Sequence, residues 1–163
     1  MRPLNVLSSG VAILFSSFIS DFQGPLEQIL MPILVVLFFT IGANVLNDYF
    51  DYDTDKINRP DRSIVKGDIT RDQALYLSLI SFTIGVYFAL RLSSDSQIIS
   101  LGISLPLLFL YNAKIKNYPL IGNIIVSIII GLSFIYAGVV FENVKPLIVP
   151  SLLAFGLTLI REI

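Results

Sequence analysis

Six apolar stretches divided by polar connections set the rhythm of this chain, at roughly residues 4 to 19, 29 to 46, 74 to 92, 98 to 110, 120 to 141 and 147 to 160. About 20 residues rising 1.5 Å each cross a hydrocarbon layer of about 30 Å, so most of these stretches predict membrane-spanning helices. The fourth is short and carries Pro106; it reaches a span by tilting or by continuing through Tyr111 and Asn112. The first begins almost at Met1 and lacks a small-residue cleavage site after its apolar core. With five further stretches behind it, it reads as a retained helix rather than a signal peptide. The expected fold is all-α, a polytopic transmembrane helical bundle forming a single membrane domain over residues 1–163.

Composition supports this pattern: 55% hydrophobic residues, 14% charged and a mean hydropathy of +0.80 exclude an ordinary water-soluble fold. Lys and Arg alternate from one side to the other. Arg2, then Lys56, Arg59, Arg62, Lys66 and Arg71, then Lys114 and Lys116, then Arg161 fall on one side, against Arg91 and Lys145 on the other. Cytoplasmic loops carry the excess of such bases, so the N-terminus and the charged 47–72 segment are expected to face the cytoplasm. Within that segment Thr70, with Gln73 three residues on, predicts a capping box opening the third helix.

The chain has no Cys and no His, which removes disulfides, zinc centres, thiol nucleophiles and imidazole acid–base chemistry. A net charge of −1 argues against a nucleic-acid partner. The charge is unevenly spread: seven of the twelve acids lie between Asp48 and Asp72, with five of the eleven bases. If the second helix continues past its apolar part, Asn47, Asp51 and Asp55 recur every fourth residue, with Asn44 and Asp48 beside them on one face. Asp53 sits roughly 200° from Asp51 on this geometry and is not expected to be a ligand.

A stripe of carboxylates at a membrane edge needs a counter-ion. Oxygen donors without His or Cys favour Mg²⁺, with Mn²⁺ as the alternative, and Mg²⁺ completes its shell with water and substrate phosphate. A diphosphate substrate follows, with Lys56, Arg59 and Arg62 in reach as charge-assisted donors. A solvated acidic loop is the plain alternative, though such loops rarely hold helical spacing. An EF-hand fails, because Lys56 replaces its Gly and Arg62 its bidentate Glu.

The run Asn47-Asp48-x-x-Asp51-x-x-x-Asp55, followed by Lys56-Ile57-Asn58-Arg59-Pro60-Asp61-Arg62, resembles the first aspartate-rich motif of the UbiA family of intramembrane prenyltransferases. Arg2-Pro3-Leu4-Asn5 is similar to that family's entry into its first helix. Tyr111-Asn112-Ala113-Lys114-Ile115-Lys116, with Gly122-Asn123, resembles its second cytoplasmic connection. The wording is most similar to the archaeal branch that makes digeranylgeranylglyceryl phosphate. Ser63 departs from a second Pro usual there, and Asp68 from a base.

The resemblance implies Mg²⁺-dependent transfer of a polyprenyl group from its diphosphate to a lipid acceptor, geranylgeranylglyceryl phosphate, in the bilayer. By the same resemblance Asn47, Asp48, Asp51 and Asp55 hold metal, with Asn47, Asp51 and Asp55 catalytic. Lys116, Arg59, Arg62, Lys114, Asn5 and Tyr111 bind substrate. Tyr111, Tyr118 and Tyr136 read equally as interface anchors or packing residues, Asn5 and Asn123 as links between helices, and Lys114 and Lys116 as topology-setting, interfacial bases. Family members carry about nine helices and a second aspartate-rich motif, so about six helices are expected here, as in an N-terminal portion. An aromatic quinone precursor or haem is the alternative acceptor. A non-catalytic truncated membrane protein or cation-binding transport element is the alternative of another class.

Overall fold

The computed structural model describes residues 3–162, which leaves Arg2 outside the described residues. The chain runs through α1 (Pro3–Ile19), α2 (Leu26–Phe50), α3 (Tyr52–Asn58), α4 (Ser63–Lys66) and α5 (Arg71–Ala89). It continues through α6 (Ser94–Gln97), a π-helical stretch (Ile98–Ser104), α7 (Leu105–Ala113), α8 (Pro119–Val140) and α9 (Ile148–Glu162). Short 3₁₀ turns, Ile115–Asn117 and Lys145–Leu147, precede α8 and α9. The six apolar stretches correspond to α1, α2, α5, the α6-to-α7 rod, α8 and α9.

Three of these rods are long and apolar enough to cross a membrane: Leu26–Phe50, Ser94–Ala113 and Leu120–Val140. α1 is equally apolar but has 17 residues. The distribution of side chains is that of a protein in lipid. Leu4, Phe18, Leu26, Leu153, Leu157 and Ile160 are exposed, whereas Ser16, Ser78, Ser96, Ser100 and Ser127 are buried between helices. Apolar surfaces gain nothing by leaving hydrocarbon, so helix contacts rest on close approach and interhelical hydrogen bonds.

α2 is the centre of the bundle, packed most extensively on α5 and also on α1 and α7. Its seam with α5 is an interlock of rings and glycines: Phe82 of α5 lies over Gly42, and Phe39 of α2 lies over Gly85. Ser78 Oγ donates across the same seam to the Gly42 carbonyl at 2.9 Å. α8 and α9 are joined in a similar way, by Ser151 Oγ donating to the Gly131 carbonyl at 2.8 Å.

The two ends of the bundle are tied differently. At one end α1 and α8 stop on left-handed residues, Asp21 (φ 52°) and Glu142 (φ 56°). The turns behind them are clasped: Ser20 Oγ donates to the Asn143 carbonyl at 3.3 Å, and Asn143 Nδ2 donates to the Ser20 carbonyl at 3.1 Å. The opposite end gathers the 47–72 segment and the α7–α8 connection, the grouping that the alternation of bases predicts. Pro106 forecast an interruption in the fourth stretch, and the structure places the wide π turns directly before it, with Leu105 N donating to Ser100 O. Proline supplies no N–H, and widened turns take up the misfit.

Candidate functional site at the charged end of the bundle

α2 stops at Phe50 and α3 resumes at Tyr52, with Asp51 between them at φ −85°, ψ 2°. The backbone ladder continues through this joint. Asp51 N donates to Asn47 O at 2.9 Å, Asp55 N to Asp51 O at 2.7 Å, and Arg59 N to Asp55 O at 2.8 Å. The fourfold spacing of Asn47, Asp51 and Asp55 is therefore preserved although the helix is formally broken. α3 and α4 then fold back, α4 ending on Gly67 at φ 84°, a left-handed position that glycine takes without cost. The chain enters α5 through the expected capping box: Thr70 Oγ1 accepts from Gln73 N at 3.1 Å, and Gln73 Oε1 accepts from Thr70 N at 2.8 Å.

This return brings bases onto the stripe. Arg62, at the start of α4, donates through Nη1 to Asp48, and its Nε lies 4.0 Å from Asp55 Oδ2. Lys116, from the turn before α8, donates to Asp51 Oδ1 across 65 residues of sequence. Asn47 Nδ2 donates to the other oxygen, Asp51 Oδ2, at 2.7 Å. These side chains are withdrawn from solvent: Asp55 is 10% exposed, Asp48 13%, Lys116 14% and Arg62 15%. Asp53, by contrast, is 79% exposed and pairs among the described residues with Lys56 at 3.5 Å, as its position on the helix predicted. Asp51 keeps 30% exposure, but a solvated loop does not withdraw two carboxylates and the bases paired with them in this way.

Aromatic rings brace the site. Lys116 Nζ lies 5.6 Å from the centre of the Phe50 ring, and the Arg71 guanidinium at the start of α5 sits 4.7 Å over Tyr49 and 5.5 Å over Tyr52. Two polar atoms near this end are buried with no partner among the described residues, Asn44 Nδ2 on α2 and Asn112 Oδ1 on α7. Asn44 was legible as a neighbour of the stripe. Asn112 was visible only as part of the Tyr111–Lys116 wording.

The remaining candidates are placed less centrally. Arg59 caps α3 and is exposed, Lys114 is exposed, and Asn5 is exposed one turn beyond Ser9 on α1. Tyr111 is partly buried at the end of α7, beside Gly122 of α8. Tyr118 is 63% exposed and suits an interfacial anchor, whereas Tyr136 is 3% exposed and packs in the core. Its hydroxyl has no partner among the described residues. Tyr136 lines a cavity of about 80 Å³ with Thr40, two turns of α2 from Asn47, and with Ser100 of the π stretch.

The donor set suits a hard divalent cation, being oxygen-rich and free of sulfur and imidazole. Yet among the described residues no three acids stand together as ready ligands. Each carboxylate of the stripe is instead turned toward a base of the chain.

The chain is similar to known proteins along its whole length. The chain is 33% identical over 163 residues to a digeranylgeranylglyceryl phosphate synthase of Methanosphaera stadtmanae, covering 100% of this chain and 59% of that protein. It is 34% identical over 165 residues to the synthase of the same name from Pyrococcus horikoshii, again covering 59% of it. A solved structure concerned with digeranylgeranylglyceryl phosphate synthase in membranes superimposes with a TM-score of 0.84 at 30% identity, over 99% of this chain and 56% of that one. The chain thus spans about three fifths of the length of the curated relatives it matches. The apolar rods and the shared fold make it a multi-pass integral membrane protein. Residues 9–160, which run from the middle of α1 into the last turn of α9, match the UbiA prenyltransferase family, and it is to this family that the chain belongs.

Proposed function

We propose that this chain carries the diphosphate-binding end of a prenyltransferase that moves a geranylgeranyl group from its diphosphate to geranylgeranylglyceryl phosphate during archaeal membrane lipid synthesis. One observation carries the reading: the Asn47–Asp51–Asp55 register, kept intact through a helix break, meets Arg62 and Lys116 at the mouth of an apolar bundle. The names of the relatives support the choice of lipid acceptor over an aromatic one.

In the reaction the bond between C1 of the prenyl chain and the diphosphate oxygen breaks, pyrophosphate leaves with the electron pair, and the acceptor hydroxyl bonds to C1 and loses its proton. Asn47, Asp48, Asp51 and Asp55 would hold a divalent cation, Mg²⁺ or Mn²⁺, which supplies charge neutralisation to the leaving diphosphate when bound. Lys116 and Arg62 add positive charge where the leaving group accumulates negative charge. Arg59 and Lys114, exposed beside them, extend that field toward the water side. The helices exclude water that would otherwise capture an allylic cation. The excess of bases at this end supports its placement on the cytoplasmic side.

The test incubates membranes holding the chain with labelled geranylgeranyl diphosphate and either the glyceryl phosphate lipid or an aromatic quinone precursor, with Mg²⁺ or with a chelator. The Methanosphaera stadtmanae relative serves as the reference. Label is expected in the lipid only, and only with Mg²⁺. Transfer to the ring alone refutes the lipid assignment, and transfer undiminished by the chelator refutes the role given to the aspartates.

A further inference from the structure

We propose that Lys116 and Arg62 are placeholders for the divalent cation: they neutralise the aspartate stripe in its absence, are displaced when it arrives, and then turn their charge to the diphosphate. This rests on the reading of Asn47, Asp48, Asp51 and Asp55 as the cation's ligands.

The bonding of Asp51 is the starting point. One carboxylate oxygen accepts from Lys116 Nζ and the other from Asn47 Nδ2 at 2.7 Å, so both are engaged by N–H donors. A cation shared by Asn47 and Asp51 requires Asn47 to present its carbonyl oxygen instead of its amide, and requires the ammonium to leave. Asp48 and Asp55 face the same exchange, since one guanidinium bridges them. Carboxylates gathered on one helix face repel one another unless positive charge lies among them. The two bases are that counter-charge, and they account for the lack of three convergent acids at a site whose donors otherwise suit a hard cation.

Charge balance then gives an order of binding. Among the described residues three carboxylates face these two bases, and a diphosphate adds further negative charge. One divalent cation adds two positive charges to the stripe and so favours a diphosphate beside it. The bases do not go far when displaced: Lys116 is anchored in a short turn beside the Phe50 ring, and Arg62 is fixed by its place at the start of α4. Both remain at the edge of the stripe, where a diphosphate bridging the cation would meet them. The geometry assigns cation first, diphosphate second.

Two measurements test this on the chain held in lipid nanodiscs, with Mn²⁺ and inorganic pyrophosphate as probes. In the first, titration calorimetry compares the unaltered chain with Lys116→Met. Removing a competing charge worth about 1 kcal/mol is expected to tighten Mn²⁺ binding about five-fold. Pyrophosphate binding at saturating Mn²⁺ is expected to weaken by about tenfold or more, through loss of a charge-assisted donor. A purely structural Lys116 would weaken both, and that result, or unchanged Mn²⁺ binding, overturns the proposal. In the second, the unaltered chain is acetylated and the lysines are quantified by mass spectrometry. Lys116 is expected to become more reactive on addition of Mn²⁺ and to be protected again by pyrophosphate, while exposed Lys66 stays constant. Lys116 labelling that ignores Mn²⁺ overturns the proposal even if the variant does not fold. Asp51→Asn and Asp55→Asn separate the two levels: unchanged Mn²⁺ affinity in both overturns the cation site itself. Loss of binding there, with no tightening in Lys116→Met, removes only the placeholder role.

Discussion

The seam between α2 and α5 can be tested with a single methyl group. A Cβ added at Gly85 would lie 2.5 Å from Phe39 Cδ1 and 2.6 Å from Cε1, where carbon atoms prefer about 3.5–4.0 Å. The ring must retreat by about 1 Å, and it has little room. Phe39 is buried and tilted against Phe82 at 6.1 Å, and Phe82 in turn presses on Gly42 and on Phe109 at 4.6 Å. Over-packing of such a core costs about 1–3 kcal/mol, so Gly85→Ala is expected to lose about 2 kcal/mol, roughly 30-fold in the folding equilibrium. Gly156 on α9 is the control, since a methyl there meets nothing within 4 Å and Ala is the better helix former. The chain has no Trp, so unfolding in mixed micelles with increasing SDS is best followed by far-ultraviolet circular dichroism. Gly85→Ala should unfold at lower SDS and Gly156→Ala at the same or higher. Adding Phe39→Leu to Gly85→Ala should cost less than the two changes summed, because the smaller side chain relieves the clash. Equal midpoints for Gly85→Ala and Gly156→Ala would refute the interlock.

Three further outcomes follow from local geometry. Thr70→Ala removes half of the capping box and should lower stability by about 1 kcal/mol in the same titration, with Thr70→Ser largely retaining it. Asp53→Asn should leave prenyl transfer within about twofold of the unaltered protein, whereas Asp55→Asn, two residues away, should cut it by about 100-fold; equal effects would separate exposure from function at this motif. Asn143→Ala, which removes one of the two bonds of the clasp, should cost about 0.6 kcal/mol in the SDS midpoint, the usual worth of a hydrogen bond between membrane helices.

What the sequence made legible was what depends on neighbours along the chain. The Thr70–Gln73 box, the fourfold spacing of Asn47, Asp51 and Asp55, and the outward position of Asp53 are all short-range and all appear as read. The alternation of Lys and Arg placed residues 47–72 and 111–122 at one end, because topology is a counting problem in a bilayer. Pairing was not legible. That Lys116 meets Asp51 and Arg62 bridges Asp48 and Asp55 depends on how the α3–α4 return and the turn before α8 fold, which no periodicity encodes. Tyr136 illustrates the same limit: an aromatic on an apolar helix reads equally as anchor or core, and only the packing of α8 on its neighbours buries it. The break at Asp51 was also hidden, since the hydrogen-bond ladder that keeps the stripe in register runs straight through it.

The reciprocal bonds between Ser20 and Asn143 join neutral groups, so neither salt, metal nor phosphate disturbs them. The far pole is held instead by ion pairs, Arg62 with Asp48 and Lys116 with Asp51. The ends of α1 and α8 are thus joined by neutral hydrogen bonds at one extremity, while charge holds the other. The two poles therefore answer to different agents: salt screens the ion pairs at the rim that carries the aspartates and leaves the neutral clasp untouched.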